Sequence, residues 1–98
     1  MMKKIPDSIF FLAVRFVACM ATSEKTFGAK KEFLRLESEN ILLQLSLLEI
    51  LVTPYSIPDT TAELNVPGTY RFTGGNLAFE VFCNSLEVKN AINTLISE

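Results

Sequence analysis

The chain has 98 residues, 49% of them hydrophobic and 20% charged, with a net charge of −2 and a pI near 5.1. This is enough for one domain with one core, and too apolar for intrinsic disorder. The acidic balance excludes the basic stripe that a nucleic-acid binder needs to displace counterions. The basic residues concentrate in the first third and the carboxylates in the rest, which would give a two-faced surface if folding kept them apart.

The start, "MMKKIPDSIFFLAVRFVACMATS", has a basic lead and an apolar stretch in the manner of a signal peptide. Pro6 and Asp7 before that stretch and Arg15 in its middle argue against one. Ser8, Arg15 and Thr22 recur at seven-residue intervals, which aligns them on one side of a helix. A helix over 8–22 is expected, apolar around most of its circumference, with Asp7 as N-cap. Residues 23–32 are ambiguous, and Gly28 weakens a long helix or marks a turn.

From Phe33 to Glu37, apolar Leu34 and Leu36 alternate with Arg35 and Glu37, as in a half-buried strand. Ser38, Glu39 and Asn40 read as a polar turn. Ile41 to Val52 is interrupted only by Gln44, Ser46 and Glu49. It is too short to span a bilayer. Its leucines favour a helix, yet the three polar residues make no single helical face, and alternation predicts a strand. Its odd positions then face the core, leaving Leu42 and Leu48 on the other face.

Residues 53–61, broken by Pro54 and Pro58, read as a loop. Ala62 to Val66 alternates as a short strand ending at the turn pair Pro67-Gly68. In "GTYRFTGGNLAFEVFC", a hairpin centred on Gly74-Gly75 places Tyr70, Phe72, Leu77 and Phe79 on one face. Arg71, Ala78, Glu80 and Phe82 take the other, where a lone aromatic is a candidate contact. The last segment reads as a helix with Asn84 and Glu87 as a capping box and a buried stripe of Val88, Ala91, Ile92 and Leu95.

The fold expected is therefore α+β over a single domain, residues 1–98. An antiparallel sheet of four to five strands would carry an N-terminal and a C-terminal helix on one face.

The absence of histidine removes imidazole acid–base chemistry and the Ser-His and Cys-His nucleophile pairs. Two cysteines without histidine cannot make an ordinary structural zinc site within one chain. Both cysteines lie in apolar runs and are expected to be buried and reduced. No phosphate-binding glycine motif occurs. No catalytic residue, cofactor or metal is expected.

The expectation is a cytoplasmic, non-enzymatic module that binds a larger protein, in the manner of an inhibitor, immunity factor, adaptor or chaperone. The alternative is a structural subunit that self-associates through apolar strand surface, and a third reading is a binder of small apolar ligands. Leu42, Leu48 and Phe82 are the candidate protein-contact residues.

Overall fold

A computed structural model of the chain describes residues 4–55 and 68–98. The class is α+β. The elements run α1 (Asp7–Ser23), α2 (Gly28–Leu47), β1 (Leu51–Tyr55), β2 (Thr69–Gly74), β3 (Leu77–Phe82) and α3 (Leu86–Ser97). Among the described residues the sheet has three antiparallel strands in the order β1-β2-β3, fewer than the four to five expected.

Helix α1 is the centre of the molecule. It packs along both α2 and α3 and lays Phe10 and Phe16 on the sheet. Phe16 meets Tyr70 and Phe72 edge-on, at centroid separations of 5.4 and 6.5 Å. These are attractive geometries for aromatic pairs. Neighbours on several sides explain why Ala13, Val14, Phe16, Val17, Ala18, Cys19 and Ala21 are all buried, as the near-continuous apolar sequence requires. Thr22 is buried too, and its hydroxyl donates to the Ala18 carbonyl at 2.7 Å. Asp7 is the first helical residue, not the N-cap. Pro6 holds the cap position with no side-chain cap bond, and Asp7 instead sets its charge in the first turn.

The main correction concerns residues 28–47. The expected strand at 33–37, the turn at 38–40 and the first part of the strand at 41–52 form one 20-residue helix, α2. Strand structure begins only at Leu51 and runs through Thr53 and Pro54, which were expected to open a loop. The helix turns Leu34, Ser38, Ile41 and Leu45 to the core at intervals of four, three and four. Its polar residues make no single face because it has two apolar faces, with polar flanks between them. The end of α2 is a Schellman motif. Ile50 N–H donates to the Leu45 carbonyl at 2.8 Å and Glu49 N–H to Ser46 at 2.9 Å, with Glu49 at φ 62°.

The hairpin forms, with its register moved. Gly75 and Asn76 are the central turn residues, and Gly74 pairs with Leu77, Phe72 with Phe79, and Tyr70 with Val81. Gly75 has φ 58°, as a type II′ turn requires of its first central residue. Each pairing moves by two residues, so every side chain keeps its expected face. Phe72 and Phe79 stack at 5.2 Å on the core side. Gly74 is confined to glycine by its neighbour, because a Cβ there would run into the backbone of Glu49 and Ile50.

In α3 the N-cap is Ser85, not Asn84. Its hydroxyl accepts from Val88 N–H at 3.3 Å. Val88 and Leu95 are buried and Ala91 and Ile92 partly so, which matches the expected stripe. The helix packs chiefly along α1, not on the sheet face where it was expected. The expected strand Ala62–Val66 and Pro67 of the turn lie outside the described residues.

Candidate protein-contact surface

Leu42, Leu48 and Phe82 are all exposed, at 39%, 52% and 45%. The structure does not bring them together. Leu42 and Leu48 flank the buried row of α2 on opposite sides, and Phe82 lies on the outer face of the sheet. Neither leucine lies on a strand as expected: Leu42 belongs to α2 and Leu48 is its C-cap.

A larger apolar surface lies on α2. Phe33, Leu36, Leu43 and Leu47 are 50%, 53%, 59% and 76% exposed and form a stripe roughly opposite the core-facing row. Alternation had placed Leu36, Leu43 and Leu47 in the core. The signal that identifies the stripe is helical: intervals of three, four, three and four from Phe33 through Leu36, Asn40 and Leu43 to Leu47.

Charged groups frame it. Arg35 bridges Glu32 and Glu39 along one flank, each at 2.8 Å, and these pairs exist only because a helix brings i, i+3 and i+4 together. The guanidinium holds the Glu32 carboxyl below its ordinary pKa. On the other flank Glu37 accepts from Arg15 Nε at 2.9 Å, tying α2 to α1 and raising the Arg15 pKa. The α2 surface is thus a leucine and phenylalanine ridge with ion-paired side chains at both margins.

The outer face of the sheet is smaller and more polar. Arg71 pairs with Glu80 at 3.0 Å and lies over the Tyr55 ring at 5.1 Å, with Leu51 and Phe82 nearby in the same layer. Surface grooves are modest. One of about 360 Å³ lies between Ile9, Leu48, Ile50 and the hairpin turn, with Lys4 at its edge. Another of about 450 Å³ is lined by Phe10, Phe11 and Val14 and edged by the carboxylates of Asp7 and Glu87.

Cys19 and Cys83 are free and buried, as expected. Burial pushes the Cys19 thiol up to about 11 and raises Cys83 as well, so neither is an activated nucleophile. Among the described residues no group of three or more His, Cys, Asp or Glu side chains is arranged to hold a metal ion. No helix among them is long and apolar enough to cross a membrane.

Comparison with protein-family models, with curated proteins and with solved structures finds no match to this chain.

Proposed function

We propose that the protein is a non-enzymatic binding module that acts on a protein partner through the outer face of α2. One observation carries this reading. A helix that already buries one apolar row in its own core holds a second on the opposite side, where four large side chains are each at least half exposed. Single exposed leucines are ordinary, whereas a contiguous ridge of this kind marks an interaction surface. Flanks of paired charges with no positive excess suit a protein partner better than an anionic lipid or nucleic-acid surface.

The test is capture from an extract of the source organism on immobilised protein, comparing wild type with Leu43→Glu. Both side chains at this position are solvent-facing in the folded monomer, so the variant should keep its helical circular dichroism. A partner retained by wild type and lost by the variant supports the reading. Equal retention by both moves the contact off α2.

A further inference from the structure

The exposed row of α2 has the rhythm of a helix-pairing seam. Phe33, Leu36, Asn40, Leu43 and Leu47 occupy alternating a and d positions over two heptads, with one polar residue in the middle. We infer that α2 packs antiparallel against α2 of a second copy of this chain, with Leu36 meeting Leu47 and Asn40 meeting Leu43 across the seam. This rests on the reading of α2 as a protein-contact surface and adds the identity of the partner.

Self-complementarity is the first support. A two-fold interface uses the same patch on both copies. An a/d row remains an a/d row when reversed, so this one satisfies that demand without a second surface. Charge then selects the direction. A parallel pair would set Glu32 of each copy beside Glu37 of the other, a like-charge contact made twice. In the antiparallel register Glu39 falls beside Ser46 and Glu37 beside Gln44, and the helix dipoles oppose. The size is also sufficient. Covering both stripes removes on the order of 1,000 Å² from water, the lower bound for a specific interface.

The test begins with sedimentation equilibrium of the wild-type protein at tens of micromolar. A species of twice 11.0 kDa is expected. Leu43→Glu should be monomeric with unchanged circular dichroism, and Asn40→Leu should tighten the dimer at least tenfold by removing the polar seam residue. A monomeric wild type overturns the inference, as does a dimer that survives Leu43→Glu. Orientation is read by oxidative cross-linking of Leu36→Cys and Leu47→Cys, since both native thiols are buried. A mixture of the two should cross-link while neither does so alone. Cross-linking of Leu36→Cys with itself would mean a parallel pair and would overturn the antiparallel assignment. Flotation of a monomeric wild type with phosphatidylglycerol vesicles would assign the stripe to lipid and overturn the inference as well. Failure of the dimer does not remove α2 as a contact surface, because the capture comparison reads that separately.

Discussion

Lys30 donates from Nζ to the carbonyl of Leu95 at 2.7 Å, reaching from the first turn of α2 to the last turn of α3. It also reaches the Glu98 backbone oxygen at 3.2 Å. Its neighbour Lys31 does the same for α1, donating to the Ser23 carbonyl at 2.8 Å. Neither α1 nor α3 has a basic residue in its own last turn. The C-terminal carbonyls of both helices are thus served by cations from a third element, which complements their dipoles and ties the three helices at one end.

Lys30→Met should keep the aliphatic packing and remove the cap. The expected loss is about 0.5–1 kcal/mol of stability. Amide exchange should accelerate selectively in the last turn of α3, where the uncapped carbonyls fray. A uniform acceleration across the protein would show that Lys30 acts on global packing instead.

Glu49 occupies the left-handed position that ends α2, where an L side chain is strained. Glu49→Gly should raise stability by about 1 kcal/mol, read as a higher urea midpoint at unchanged slope. Gly74→Ala should do the reverse, at about 1–3 kcal/mol, because its Cβ would have to displace the Glu49–Ile50 backbone. The two substitutions act on one junction, so their effects should not add.

That junction also explains what was legible in the chain. Helix ends are often announced by glycine, and here a glutamate sits in the αL position, so nothing in the residue type separates α2 from β1. The ends of the molecule were easier. In α1 the seven-residue recurrence of its polar positions suits only a helix, and in β2–β3 a hairpin with alternating faces tolerates an error of two residues in register without moving a side chain to the wrong side. In α2 the core row contains Ser38, a polar residue that satisfies itself by donating to the Arg35 carbonyl at 2.7 Å. It broke the apolar periodicity and read as a turn. The second apolar row then supplied leucines at the alternate positions, which imitated a strand. The exposed stripe of α2 is hidden for the same reason, since alternation assigns Leu36, Leu43 and Leu47 to a core they do not join.

Stability should fall in alkali. Burial raises the Cys19 thiol from 9.0 to about 11 and the Tyr70 phenol from 10.0 to about 12. A group whose pKa is higher in the folded state contributes stability that is complete below its unfolded pKa and is lost as pH rises through the folded value. For Cys19 that window is pH 9 to about 11, and for Tyr70 pH 10 to about 12. The urea midpoint should therefore hold from pH 7 to 8.5 and decline above pH 9. Tyr70→Phe should flatten the upper part of the decline. Native protein at pH 8 should leave both thiols unreacted with iodoacetamide, and unfolding in guanidinium should expose both.

The two apolar rows of α2 should respond oppositely to substitution. Leu34 is fully buried, and Leu34→Ala removes its packing and leaves a cavity at a cost of about 2–5 kcal/mol. Leu43, 59% exposed, has little to lose within one chain. Leu43→Ser should change the stability of the isolated chain by no more than about 0.5 kcal/mol. Association gives the second readout. The wild-type melting temperature should rise with protein concentration, because a partner that binds only the folded chain stabilises it by mass action. Leu43→Ser should abolish that rise while Leu34→Ala, if it remains folded, should keep it. A concentration-independent wild type would show that the outer row of α2 is not occupied by a second copy, and a rise surviving in Leu43→Ser would place the contact on another face, with the sheet layer of Leu51, Tyr55 and Phe82 the next to test.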